Sequence, residues 1–218
     1  MGTFFAVLTD NWHDFARGFG ATIRLFLIAG VASLVGGTLL GAMRVSPIPA
    51  LRAFGATYVN LIRNTPLTLV FAFMVFAVPK LGVNIDYLPS ALVALSVYTA
   101  AFVCEVVRSG VNTVPNGQAE AARALGMGFG QVLGHVVLPQ ALRAMVAPMV
   151  SVFIAMLKNT TIAAGFSVFE AGAIPEYLSE RGENRFAVLV WITIGFLVII
   201  VPLALLQRSM ENRLRVVR

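Results

Sequence analysis

Several stretches of this chain run 17 or more residues with almost no charge. As helix, each is long enough to cross a hydrocarbon layer of about 30 Å. Of 218 residues, 58% are hydrophobic and 12% are charged, against roughly 25% charged in an ordinary soluble domain. A water-soluble fold of this size has no interior large enough for so much apolar surface. A membrane barrel would show alternating ten-residue segments, and the sequence has none. The expected fold is an all-α integral membrane protein.

Five spans are expected, at about Ala21 to Met43, Phe54 to Val78, Leu88 to Val107, Val137 to Leu157 and Phe186 to Leu206. Residues 1–20 precede them. They lack the basic start of a secretory signal and carry Asp10 and Asp14 before any long apolar run. Trp12, Phe15, Ala16 and Phe19 fall at helical spacing, which suits an interfacial helix. Arg44, Arg52 and Arg63 fill the first link without an acid, and residues 208–218 form a basic tail. Glu170 to Arg185 holds four glutamates and two arginines. By the positive-inside tendency the first link and tail are cytoplasmic, and the acidic stretch and N-terminus are outside. The same tendency explains the net charge of +6 without nucleic acid as a partner.

Other chemistries lack their residues. There is no GxxxxGK[ST], so no P-loop for ATP. No His/Cys grouping suggests a metal. His13 and His135 are isolated. The single Cys104 excludes an internal disulfide and reads as packing. No soluble domain, internal repeat or low-complexity run is visible.

The informative stretch lies between the third and fourth spans, QAEAARALGMGFGQVLGHVVLPQALRA. With Asn116 as N-cap, Gly117 to Leu125 form a short alanine-rich helix. Gly126 ends it in a left-handed turn. Phe129, Val132, Leu133 and Val136 follow at amphipathic spacing, and Pro139 marks the entry to the fourth span. Two short helices at a glycine elbow suit a docking surface, with small alanines for close approach and Glu120 as a fixed charge. They equally suit an amphipathic linker resting on lipid.

Glu120-Ala121-Ala122, then Gly126, Val136 and Leu138-Pro139 resemble the EAA loop of ABC-type import permeases. Val136 replaces the more usual isoleucine. The segment Arg63 to Val70, RNTPLTLV, is similar to the RGTPL segment of polar amino-acid permeases. The resemblance continues through Tyr98, Glu105, Arg108, Pro115 and Gln118 to LKNTTIA at Leu157 to Ala163, and is closest to actinobacterial glutamate permeases. Asn64 stands where glycine is common, and Asn159-Thr160-Thr161 where Asp-Thr-Ser is common. The resemblance implies a type I ABC importer permease fold with a coupling loop at about residues 115–136. It implies that Glu120, Ala121, Ala122, Gly126, Leu138 and Pro139 meet an ATPase subunit. The implied partners are two ATPase subunits that bind ATP and Mg, a second permease subunit, alike or paralogous, and an extracellular amino-acid-binding protein. The chain itself then needs no cofactor and is not an enzyme.

Intramembrane polar residues are candidates for a substrate path. Pro66 to Val78 is too short to span, about 20 Å as helix, so the second span is expected to break at Asn64-Thr65. Thr65 then caps the second half, and its N-terminus with Arg63 offers a seat for a carboxylate, or Arg63 anchors the helix end at the membrane interface. Glu105 and Arg108, at i and i+3, form an internal pair or line a cavity. Lys158, Asn159, Thr160 and Thr161 end the fourth span, where the lysine serves the helix dipole or the cluster offers polar contacts. Glu170 is a candidate partner for an α-ammonium group. A gradient-driven transporter with Glu105 as proton relay is the competing class, and a non-transporting receptor or scaffold a third. An imposed proton gradient driving uptake without ATP distinguishes the first of these.

Overall fold

The computed structural model describes residues 2–214. The last arginines of the basic tail, Arg215 and Arg218, lie outside the described residues. The structure is all helical, with no strand among the described residues. Four helices are long and apolar enough to cross a membrane, and a bent pair brings the number to five.

Helix α1 (Gly2–Asp10) leads at Asn11 into α2 (Trp12–Val45), a single helix of 34 residues. The helix that carries the first span therefore starts well before Ala21. The reason is packing. Phe15 is buried with Ile174, Leu178 and Val188, and Phe19 packs against the same cluster. That apolar face meets protein, so residues 12–20 continue the same helix as packed structure instead of lying along a membrane surface.

Helix α5 (Tyr87–Asn112) is the centre of the molecule, with α2 alongside it. Their contact depends on small residues. A Cβ on Gly37 would lie 2.7 Å from Ala100 O, and one on Gly41 would lie 2.7 Å from Val107. Glycine at these positions lets the backbones meet, as in other membrane helix pairs. Cys104 is fully buried beside Val59 and Ala101.

Helices α3 (Pro49–Arg63) and α4 (Leu67–Ala72) form the bent pair, turning 100° across Asn64–Pro66. Proline restricts the residue before it to extended backbone, which ends α3. Helix α4 widens into a π-helical segment, Phe73–Ala77, just before Pro79. The second π-helical segment, Val132–Val137, likewise precedes Pro139. A proline cannot donate to the carbonyl four residues back and its ring crowds it, so a wider turn relieves both problems.

After α5 come α6 (Asn116–Ala124) and the single turn α7 (Phe129–Gln131). From Phe129 the chain is helical without a break through α8 (Leu138–Asn159) to Phe166. Pro139 therefore lies inside a continuous helix and does not separate a second amphipathic helix from the span. The short α9 (Ile174–Glu180) precedes α10 (Arg185–Leu214), which packs on α8 and exposes most of its apolar surface.

Candidate translocation and coupling sites

One face of α5 meets one face of α8 along a line of cavities. Nearest the α8 C-terminus is a cavity of about 350 Å³ lined by Tyr98, Thr99, Phe102, Ser151, Ala155 and Asn159. Nearer the loop that joins α5 to α8 is one of about 310 Å³, lined by Arg63, Glu105, Arg108, Ser109, Thr113 and Pro148. Tyr98, Phe102, Glu105, Ser109 and Thr113 recur at three- and four-residue spacing, so helical geometry aligns them. Phe102 joins the two cavities, because the Arg63 guanidinium lies 5.4 Å from its ring centroid.

The charged centre of this line is Glu105. It accepts a hydrogen bond from Arg108 Nη2 at 2.9 Å and pairs with Arg44. Arg63 Nη1 is 3.7 Å from its second oxygen. One carboxylate thus faces three guanidinium groups from α2, α3 and α5. The Arg108 Nε is buried and makes no hydrogen bond. Sequence spacing exposed only the Glu105–Arg108 pair. The available signal for Arg44 was the glycine face of α2, since Arg44 follows Gly37 and Gly41 by seven and three residues.

At the break, Asn64 Nδ2 donates to Asn60 O at 2.7 Å, and Thr65 Oγ1 donates to Leu61 O at 2.8 Å. Both side chains close the end of α3. The expected Thr65 cap on the following helix is corrected: α4 has no side-chain cap.

The quartet at the end of α8 divides. Lys158 is exposed, and Asn159 lines the first cavity. Thr160 is buried and donates to Leu157 O at 2.7 Å, while Thr161 donates to Lys158 O at 2.8 Å. These hydroxyls bond to carbonyls of their own helix end; Thr160 is closed off by burial, whereas the Thr161 hydroxyl stays exposed. Glu170 is also corrected. It is fully buried, accepting from Thr22 Oγ1 at 2.8 Å and from Gly172 N–H at 2.6 Å. Burial pushes its carboxyl up to about 7, against the pull of those hydrogen bonds. It ties α2 to the segment before α9 and is closed to any solute.

The loop between α5 and α8 is built to present a surface. Helix α6 starts at Asn116, one residue earlier than expected, with Pro115 at its cap position and no side-chain cap. Gly126 has φ 85°, the left-handed conformation in which glycine avoids the Cβ penalty. The Met127 N–H bonds to Ala122 O at 3.2 Å, completing the C-terminal closure. Gln131 Oε1 accepts from Gly128 N–H at 3.0 Å and starts the next helix. Gln140 Nε2 donates to Gln118 Oε1 at 2.6 Å, holding α6 against the base of α8. Ala122 is buried against the loop's own base, whereas Glu120, Ala121, Gly126, Leu138 and Pro139 are exposed. Leu125 and Phe129 are 84% and 82% exposed. Two large apolar side chains flanking a rigid glycine turn are the surface that sequence spacing alone did not single out.

Residues 33–216 match the family described as the binding-protein-dependent transport system inner membrane component. This chain belongs to that family. The permease is 40% identical to a glutamate transport system permease protein of Corynebacterium efficiens, covering 91% of this chain and 94% of that one. It is 32% identical to a probable glutamine ABC transporter permease protein of Bacillus subtilis, covering 96% and 97%. A solved amino acid ABC transporter with histidines superposes with a TM-score of 0.90 at 25% identity, covering 96% of this chain and 98% of that chain. The permease is thus a multi-pass membrane transport subunit with the type I ABC importer fold. Of its candidate pathway residues, the fold brings Arg63, Glu105 and Arg108 together, and places Asn159 in the adjoining cavity.

Proposed function

We propose that this permease subunit carries polar amino acids inward, with glutamate as substrate, driven by ATP that binds with Mg to separate ATPase subunits. The observation that carries this reading is the continuity of surface and pathway. The helix that begins at exposed Phe129 is the helix whose Ser151, Ala155 and Asn159 line the cavity. Force applied to the loop reaches the cavity wall through one element. On this reading the loop end faces the cytoplasm, the N-terminus and Glu170–Arg185 segment face outside, and a binding protein delivers substrate there. A second permease subunit, alike or paralogous, completes the path.

The chain makes and breaks no covalent bond. It exchanges contacts between two states, and only contacts that differ between them shift the balance. The Glu105 cluster suits that role. A passing carboxylate competes with Glu105 for Arg63, the half-exposed member of the cluster. The excess of guanidinium over carboxylate favours an acidic solute, as do the names of the similar glutamate permeases.

The test is uptake of labelled glutamate by vesicles containing the assembled transporter. Uptake that requires internal ATP and Mg and external binding protein supports the reading. Uptake driven by a proton gradient without ATP moves the permease to the gradient-driven class. ATP-dependent uptake of other amino acids but not glutamate overturns the substrate alone.

A further inference from the structure

A groove of about 380 Å³ opens between the first turns of α2 and the start of α5, away from the line of cavities along α5 and α8. Its walls carry Arg17 and Arg24 at one end and Leu25, Ile28, Leu88 and Leu92 at the other, with no acid among them. Among the described residues, neither arginine takes part in an ion pair; the pairs there are those of Glu105 and the Arg181–Asp14 pair. The Arg17 guanidinium lies 4.9 Å from the centroid of Phe169, which also lines the groove. Small residues, Ala16, Gly20 and Ala21, line it too, and a Cβ on Gly20 would meet nothing within 4 Å.

Depth decides what kind of ligand fits. Between Arg24 and Arg44 the helix carries no charge, a length of about 28 Å that matches the hydrocarbon layer. Arg24 therefore sits at a headgroup boundary, in the leaflet opposite Arg44 and the coupling loop. Arg17 lies about 10 Å farther out along the helix. Ile28 and Leu92 lie below Arg24, at acyl-chain depth, and Leu88 is level with it, by the register in which Gly37 faces Ala100 and Gly41 faces Val107. Exposed Tyr87 stands beside them at the aromatic level of the interface. Cations above, aliphatic side chains below and an open lateral face match one molecule that has both a phosphate and a hydrocarbon tail.

We propose that this groove binds an anionic phospholipid, its phosphate held by Arg17 and Arg24 and one acyl chain lying along Ile28, Leu88 and Leu92. Two cations with no acid between them select an anionic headgroup over a zwitterionic one. The lipid holds the start of α2 to the start of α5, the two elements whose later turns bound the permease's core.

The experiment uses the assembled transporter in bilayers of equal phosphatidylglycerol and phosphatidylcholine, extracted gently, with retained lipid counted by mass spectrometry. The wild type is expected to retain phosphatidylglycerol in preference. The double variant Arg17→Gln/Arg24→Gln is expected to retain about tenfold less. Gly20→Leu keeps both charges and fills the open space, and is expected to lower retention as well. Equal retention of both lipids by the wild type overturns the proposal. So does wild-type retention by Gly20→Leu, which decides the matter if the double variant does not assemble. Unchanged lipid retention with lost stimulation by the binding protein would assign the arginines to a protein contact, and the proposal fails.

Discussion

Glu105 holds three arginines that would otherwise repel one another within a membrane protein. Glu105→Gln leaves Arg44 and Arg108 half-buried without a counter-charge, so it is expected to destabilise by about 2 kcal/mol, below the 3–5 kcal/mol of a fully buried pair. Thermal unfolding in detergent measures it. Adding Arg44→Met to Glu105→Gln should restore part of the loss, a coupling of about 1 kcal/mol or more in a double-mutant cycle. Simple additivity would refute the network. Glu170 gives a pH test. Its folded pKa of about 7 lies above the ordinary carboxyl value of 4.5. Stability is therefore fully present below the lower value and is lost as pH rises through about 7, by about 3 kcal/mol. Glu170→Gln should flatten that slope between about pH 5 and 7 while keeping the Gly172 hydrogen bond. These two residues also mark what a sequence makes legible. Glu105–Arg108 is a local spacing and was readable. Arg44 is 61 residues away, and only helix packing brings it near. Glu170 displays its charge in the sequence but not its burial, which is why it resembled a partner for a ligand.

At the level of helices, the apolar runs and the break before Pro66 were legible because length and proline act locally. The start of α2 at Trp12 was not, since the surface covering Phe15 comes from α9 and α10. The π-helical segments were not, since proline signals a disturbed turn without saying how the helix absorbs it. The tight α2–α5 contact yields a sharp comparison. A Cβ at Gly37 would meet the α5 backbone at 2.7 Å, whereas one at neighbouring Gly36 would reach only Ala100 Cβ, at 3.9 Å. Gly37→Ala is expected to destabilise by roughly 1–3 kcal/mol. Gly36→Ala should be neutral or slightly stabilising through helix propensity. Melting temperatures of the two single variants check this, and equal shifts would contradict the packing.

Across the whole molecule, the membrane class and the loop's helix–glycine–helix order could be read from the sequence, while the protruding Leu125 and Phe129 required the fold. On the proposed function, Leu125→Asp with Phe129→Asp is expected to reduce recovery of an ATPase subunit at least tenfold, since a few large buried side chains carry most of the energy of such contacts, with unchanged amounts of the permease in the membrane. Quantitative co-purification checks it, and undiminished partner recovery would place the contact elsewhere. The unbroken helix from Phe129 to Phe166 has a mechanical consequence. Its length is about 57 Å, and its two ends belong to one helical element. Its hydrogen-bond ladder is loosened at two places, the widened turn just before Pro139 and the turn before Pro148 inside α8. On the proposed function, the turn before Pro139 is expected to work as a universal joint, absorbing misalignment at the loop end while the helix beyond it carries the movement to the cavity lined by Asn159.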